Sequence, residues 1–169
     1  MMQFCAIIHV MTRKRNDKND LNNSYHEYGI YKFYCDKEAI KEHSRLQRAV
    51  GTILRRLVGG RNEVYEEVMF KDFVDNGINI RYDFFIPKYN LVIEVHGMQH
   101  FVNTKTFFIN QNNFIEQIKR DKFKKELAKR YGLVYGVVTF KDNIGDIDFW
   151  NKFFYKLVGT IIYDDSKKQ

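Results

Sequence analysis

The sequence has few of the residues that mark several large classes of protein. A single proline and ten glycines among 169 residues exclude a collagen-like or low-complexity chain. Its two cysteines, Cys5 and Cys35, are too few for a disulfide framework or a four-cysteine zinc site. No run approaches the roughly 18 apolar residues of a membrane helix, and the apolar opening MMQFCAIIHV is short and lacks the basic start of a secretory signal. We therefore expect a cytoplasmic protein with reduced thiols and no membrane partner.

What the chain does have is apolar residues and positive charge. With 44% hydrophobic and 16% aromatic residues, the chain can fill a hydrophobic core, and its length favours a single domain. The formal charge is +7 and the pI is near 9.3. Residues 1–60 carry 11 Lys and Arg against 6 Asp and Glu, so most of the excess lies in the first third. This excess favours a polyanionic partner, although a merely solubilising surface is the alternative.

Patterns along the chain divide it into an arm and a domain. Residues 1–36 are basic, Asn-rich beyond residue 11 and without a sustained period, which predicts an N-terminal arm; residues 37–169 then form one domain. A helix is predicted from its cap at Asp36 to Gly59-Gly60, and a turn at Asn76-Gly77. The other predicted elements are strands at 62–70, 80–86, 91–96 and 133–140, and helices at 114–131 and 146–162.

The order of these elements predicts the fold class. A helix is followed by three strands, a helix, a strand and a last helix. The strand at 133–140 (LVYGVVTF) is apolar throughout, as a strand buried on both faces would be. We expect an α/β fold with a mixed β-sheet core flanked by helices.

Two acids interrupt the apolar runs of the predicted hairpin RYDFFIPKYNLVIEVH. Pairing Ile86 with Leu91 across a four-residue loop places Asp83 directly opposite Glu94, with Cβ atoms about 4.5–5.5 Å apart. Two like charges there destabilise a sheet, so they indicate either a solvent-exposed pair or a site that binds a cation. The apolar neighbours of Glu94 favour the second interpretation, because buried acids are rare unless paired or bound to metal.

More polar groups surround this pair. Strand alternation places His96 on the face of Glu94, and Gln99 and His100 follow it. Carboxylates of this kind suit Mg²⁺, for which Mn²⁺ can substitute. Zinc is a poorer fit, because the chain has no compact spacing of His and Cys residues. We expect no small-molecule cofactor.

The helix at 114–131 adds a polar stripe. Gln117, Asp121, Lys124 and Ala128 recur at helical spacing, and residues 117–130 hold seven Lys and Arg against two acids. A charged helical face is usually only solvated. Beside an acidic metal site, however, an amide, an acid and a lysine in line are suited to contact with a phosphate backbone.

These segments together resemble a known family. The sequence DFFIP, then LVIEVHGMQHF, then QIKRDKFKKELAKRYGL and an apolar strand resembles the PD-(D/E)XK nuclease superfamily, and within it the very short patch repair and phage homing endonucleases. The resemblance covers about residues 40–140. It implies a restriction-endonuclease-like fold and metal-dependent hydrolysis of DNA.

The resemblance also implies roles for individual residues. Asp83 and Glu94 match the metal-binding acids, with the Val95 carbonyl as a further ligand. His96 takes the variable third position and is suited to act as a general base. The polar positions that follow the core motif and line the helix match Gln99, His100, Gln117, Asp121 and Lys124. Lys124, with Arg120 nearby, would stabilise charge growing on the phosphate.

One position departs from the family pattern. Related chains often carry a glutamate on the first helix three residues after a serine, whereas Ser44 is followed at that spacing by Gln47. Gln47 is therefore either a site residue or a hydrogen-bonded helix residue, and a second metal ion is in doubt.

The sequence hypothesis is a Mg²⁺-dependent DNA endonuclease of the phage or mobile-element type, acting in the host cytoplasm if phage-encoded, by homing, nicking or junction cleavage. The alternative is a non-catalytic nucleic-acid-binding protein that keeps the fold. DNA is the expected partner, and the protein is a monomer or a homodimer. The residues expected to hold flanking DNA are Arg13, Lys14, Arg15, Arg45, Arg48, Gln117 and Arg120.

Overall fold

A computed structural model describes residues 23–60, 63–98, 101 and 111–162, and within them a six-stranded sheet is the central element. The strands lie in chain order across the sheet. The first five strands pair antiparallel with one another, and the sixth pairs parallel with the fifth. The strands are β1 (Asn23–Tyr28), β2 (Tyr31–Asp36), β3 (Tyr65–Phe70), β4 (Tyr82–Ile86), β5 (Leu91–His96) and β6 (Val134–Thr139).

Helices cover both faces of this sheet. They are α1 (Lys37–Lys41), α2 (Arg45–Val58), α3 (Lys71–Asp75), α4 (Gln111–Arg130) and α5 (Ile147–Val158). On one face, α3 and α4 pack on a core that includes Phe85 and Val92. On the other, α2 and α5 pack on a core that includes Leu91 and Ile93. The predicted α/β class with a mixed sheet flanked by helices is confirmed.

Local sequence signals fix the helix ends. Asp36 accepts hydrogen bonds from the amides of Glu38 and Ala39 and so caps α1. Ser44 caps α2, and Gly59 ends it in the left-handed conformation that glycine tolerates best. Asp146 caps α5 in the same way. The predicted helix α4 is confirmed, and its start lies three residues before the predicted one at 114.

The predicted arm over residues 1–36 differs from the structure at its end. Residues 23–36 form the hairpin β1–β2, which is paired to β3, and residues 1–22 lie outside the described part of the chain. The hairpin is held by its aromatic residues: the Phe33 ring is fully buried and lies 5.3 Å, centroid to centroid, from that of Phe85. Gly29, with a φ of +56°, makes the tight turn. The domain therefore includes β1 and β2.

Two further predictions are corrected. The single helix from Asp36 is two helices, because Ser44 takes the cap position and His43 turns into the protein core, where it is 3% exposed. The strand at 133–140 is only partly buried, because β6 is the last strand of the described sheet and has no neighbour on one side. No helix within the described residues is both long and apolar enough to cross a membrane.

The hairpin that carries the two acids is confirmed. Ile86 pairs with Leu91, Phe85 with Val92 and Phe84 with Ile93, and Pro87–Tyr89 with Asn90 forms the four-residue connection. Asn90 takes a φ of +50°, which asparagine accepts more readily than most residues. Asp83 and Glu94 are the residues that come next after Phe84 and Ile93, so the turn brings the two acids to the same end of the hairpin.

Candidate active site

Asp83 and Glu94 are on adjacent strands at the centre of the sheet. The Asp83 carboxylate accepts a hydrogen bond from the Val95 amide at 2.7 Å, which ties β4 to β5 beyond their last paired residues. Glu94 is only 3% exposed. The sequence interpretation that this acid is buried is therefore confirmed. The contact that Val95 makes here is through its amide, whereas the resemblance implied a role for its carbonyl.

Burial raises the pKa of both acids. The pKa of Glu94 is raised to about 8, mainly by burial and further by the charges of Asp83 and Asp121, against the opposing effect of Lys124. Burial also raises the pKa of Asp83, and the nearby Glu67 carboxylate adds to this effect. Lys124 reaches across from α4 and donates to Glu94 Oε2 at 2.7 Å. The cluster thus holds more carboxylate than its nearest cation neutralises.

His96 lies on the same side of the sheet, near α4. Its Nε2 atom is 4.0 Å from Asp121 Oδ2. Asp121 in turn accepts a hydrogen bond at 2.9 Å from the Gln117 amide nitrogen. Gln117, Asp121 and Lys124 therefore face the two acids and the histidine, and Ala128 continues the stripe into the core with no exposed surface.

The donor set fits a divalent cation bound mainly by oxygen. Within the described residues, Glu94 Oε1 is buried and has no hydrogen-bond partner, although buried acceptors are normally paired. Mg²⁺ is commonly held by one or two carboxylates while phosphate and water complete its coordination. No group of three His, Cys, Asp or Glu among those residues is arranged as a metal site. Two acids, Asp83 and Glu94, would therefore be the protein's side-chain ligands.

A second charged cluster adjoins the first and was not predicted from the sequence. Glu67 on β3 is 4% exposed and contacts His43 and Arg81. The neighbouring Glu66 pairs with Arg55 and lies 3.4 Å from His43 Nδ1. A signal was present, since EE in the middle of the strand YEEVMF puts two acids among residues that are otherwise buried.

Two tyrosines that the sequence did not single out also lie near the site. The Tyr82 hydroxyl donates to the Lys124 carbonyl at 2.9 Å, and the Lys124 ammonium lies 5.9 Å from the centre of the Tyr82 ring. Burial raises the pKa of Tyr135, as does the charge of Glu94. Tyr82 is fully buried and Tyr135 is partly buried. Neither has a spacing that would have identified it.

The predicted DNA-contacting residues have varied environments. Arg45, Arg48 and Arg120 are exposed, and Arg48 also donates two hydrogen bonds to the His43 carbonyl. Gln47 accepts a hydrogen bond from the Ser44 amide at 2.9 Å and completes a capping box, so its side chain is hydrogen-bonded at the start of α2. Outside the described residues lie Arg13, Lys14, Arg15, Gln99 and His100.

Comparison with known proteins gives no family assignment. No protein-family model, no curated protein and no solved structure has a significant match to this chain. The candidate site is therefore defined by its own geometry.

Proposed function

We propose that this protein is a metal-dependent DNA endonuclease with a restriction-endonuclease-like fold of the PD-(D/E)XK type. The observation that carries the proposal is the pair Asp83 and Glu94, in which Glu94 is 3% exposed and its Oε1 atom has no hydrogen-bond partner within the described residues. A buried acid beside a second, partly buried acid is costly to keep unless the two bind something positive. The net charge of +7 favours nucleic acid as the substrate.

Each residue has a proposed role in the reaction. Asp83 and Glu94 would hold a divalent cation such as Mg²⁺ or Mn²⁺, which would supply Lewis-acid polarisation of the scissile phosphate and a lowered pKa for a bound water. His96 accepts the proton of the attacking water, and Asp121 stabilises the imidazolium that forms. Lys124 exchanges its contact with Glu94 for the phosphate as charge develops there. The burial of Glu94 strengthens these electrostatic contacts, because charges interact more strongly away from water.

The test compares cleavage and binding on the same substrates. Wild type, Asp83→Asn and Glu94→Gln are incubated with supercoiled plasmid and with a four-way DNA junction, in Mg²⁺, in Mn²⁺ and in chelator. A matched control, Asp148→Asn, removes an acid of the first turn of α5, on the other side of the sheet. We expect wild type and Asp148→Asn to cut only with metal. Both site variants should bind DNA and cut it at least about 100-fold more slowly, the usual effect of removing a group that stabilises transition-state charge.

The alternative function predicts another outcome. A non-catalytic nucleic-acid-binding protein would bind DNA equally well in metal and in chelator, and none of the four proteins would cut. That result would overturn the nuclease proposal.

A further inference from the structure

Glu67 has a backbone conformation that its residue type disfavours. Within the described residues, Glu67 and Asn90 are the two non-glycine residues with positive φ, at 51° and 50°. Asn90 is in a turn, where asparagine is common, but Glu67 lies inside strand β3. Strained residues of this kind persist only when their surroundings hold them, and they often lie at functional sites.

The position of Glu67 relates it to the candidate active site. The pairs Val68 with Tyr82 and Glu66 with Phe84 place Glu67 across from Asp83 on the neighbouring strand. Asp83 and Glu94 directly follow the last pair of β4 and β5, Phe84 with Ile93. Three acids therefore lie on three adjacent strands, and the middle strand carries Asp83.

Both carboxylate oxygens of Glu67 are engaged by basic side chains. Oε1 lies 2.8 Å from His43 Nε2, and Oε2 lies 2.5 Å from Arg81 Nε. Asp36 holds the other side of the same guanidinium, with Oδ2 at 2.7 Å from Arg81 NH1. Glu67 thus has no vacant oxygen for a cation, and any effect it has on the cation site must be exerted through His43 or Arg81.

Arg81 is the partner that matters for the acids. It stands two residues before Asp83 in the chain and is bonded to Glu67, whose charge acts on the Asp83 carboxyl. Within the described residues, no basic side chain forms an ion pair with Asp83. A guanidinium readily binds a carboxylate through two nitrogens, so a released Arg81 would compete with any divalent cation for Asp83.

We propose that Glu67 is a positioning residue for the cation site: with Asp36 it holds Arg81 away from Asp83 and so keeps that carboxylate available to a divalent cation. The inference rests on the proposed function only in taking Asp83 as a cation ligand. The alternative is a buried ion pair that stabilises the fold and has no effect on the site.

The test measures Mn²⁺ binding directly, by electron paramagnetic resonance of the free ion, together with the melting temperature of each protein. The variants are Glu67→Gln, Arg81→Gln and the two combined. Glu66→Gln is the matched control, because it makes the same change one residue away and releases Arg55 instead of Arg81. We expect Glu67→Gln to bind Mn²⁺ about 10-fold more weakly, as is usual when a partner outside the ligands is lost.

The double variant separates the two explanations. If Arg81 is the competitor, removing it as well restores Mn²⁺ affinity to within about twofold of wild type, even though the fold has lost a further ion pair. Glu66→Gln should leave the affinity unchanged. A double variant as weak as Glu67→Gln, or a Glu66→Gln variant that is equally weak, would overturn the inference.

A second variant applies if Glu67→Gln does not fold. Asp36→Asn keeps an equally good helix cap and removes one of the two charges that hold Arg81. It should lower Mn²⁺ affinity by about twofold, as expected for a partly exposed ion pair; unchanged affinity would contradict the inference.

Failure of the inference and failure of the proposed function give different results. Wild-type protein that binds Mn²⁺ and cuts DNA, with Glu67→Gln indistinguishable from it, refutes only the role of Glu67. If the Mn²⁺ affinities of wild type and variants follow the expected order but wild type cuts no DNA, the role of Glu67 stands and the nuclease proposal is refuted. If wild type binds no Mn²⁺, both the role of Glu67 and the metal-dependent nuclease proposal are refuted.

Discussion

At the scale of single residues, the polar groups buried in the described part of the chain are concentrated around one place. His43, Glu67 and Glu94 are its buried polar or charged residues. Glu67 and Glu94 are on the two strands that flank the strand of Asp83, and the charges of Glu67 and His43 both act on the Asp83 carboxyl. A fold selected for stability alone would put apolar side chains there, because a buried ion pair often contributes less than a well-packed hydrophobic replacement. Natural proteins retain such groups where function requires them, at a cost in stability.

The first prediction follows from the raised pKa of Glu94. The folded-state pKa of about 8 lies above the ordinary value of 4.5, so the folded protein binds more protons than the unfolded chain between these pH values. Stability in chelator should therefore fall as pH rises from about 4.5 to about 8. The melting temperature of wild type relative to Glu94→Gln should decrease across this range by on the order of 5–10 °C.

Comparison with Glu94→Gln isolates this carboxyl from the other titrating groups, since the glutamine cannot ionise. Circular dichroism melts of both proteins at steps of half a pH unit provide the measurement. Parallel curves for the two proteins would show that Glu94 ionises with an ordinary pKa. Adding Mg²⁺ should reduce the decrease for wild type at high pH, because a bound cation stabilises the ionised form.

At the scale of elements, the site depends on how α4 and α5 pack on opposite faces of one sheet. The polar stripe of α4 meets β5 through Lys124 and Glu94, while the aromatic residues of α5 pack against the far face of the same strand. On β6, Gly136 gives α5 the space for this packing. A Cβ atom there would lie 2.8 Å from both Leu157 Cδ1 and Phe153 Cζ.

The second prediction concerns that glycine. Gly136→Ala should lower the free energy of unfolding by about 1–3 kcal/mol, because the added methyl forces the side chains of Leu157 and Phe153 out of their packed positions. Urea denaturation provides the measurement. Gly145→Ala is the control, since its new Cβ would have Asn143 Oδ1 as its nearest neighbour at 3.7 Å. Equal stability of the two variants would mean that the Leu157 and Phe153 side chains move aside without cost.

Elements with strong local signals were predictable from the sequence, and the others were not. The hairpin could be predicted because the turn and the apolar runs fix one register, and α4 because its polar stripe has helical spacing. The β1–β2 hairpin was missed because its stability comes from Phe33 packing on distant strands. His43 lies at helical spacing with its neighbours, yet its contacts with Glu66 and Glu67 move it out of the helix.

The same distinction holds for the site. Asp83 and Glu94 share a hairpin, so the local rules of strand pairing are enough to place them together. Glu67 and Arg81 are separated in sequence and meet because β3 lies beside β4. Their contact also depends on the positive φ of Glu67, which no residue preference would suggest.

At the scale of the whole molecule, charge is distributed unevenly. The chain carries a net charge of +7, and residues 1–60 account for most of it. Three of these charges stand together at Arg13, Lys14 and Arg15, outside the described residues. Binding to a nucleic-acid backbone releases counterions, so each phosphate contact contributes to the salt dependence of affinity.

The third prediction is that this basic triplet holds DNA next to the site. Changing Arg13, Lys14 and Arg15 to glutamine should weaken DNA binding, and it should make the plot of log affinity against log salt concentration shallower by about 2–3, since each phosphate contact contributes about 0.9. Fluorescence anisotropy with a labelled duplex at four salt concentrations measures this slope. Cleavage at saturating DNA should be unaffected, because Asp83 and Glu94 are intact.

A second triple variant tests whether position or charge alone is responsible. Lys88, Lys152 and Lys156 are exposed. Lys88 lies in the connecting turn, at the end of the β4–β5 hairpin away from the acids, and the other two are on α5, on the opposite face of the sheet from α4. Changing these three lysines to glutamine removes the same net charge.

If the DNA contacts the face that carries Asp83 and Glu94, this control should keep the wild-type salt slope and lose only the small part of affinity that long-range attraction supplies. Equal losses in the two triple variants would mean that DNA responds to the overall charge of the protein rather than to a defined contact at residues 13–15.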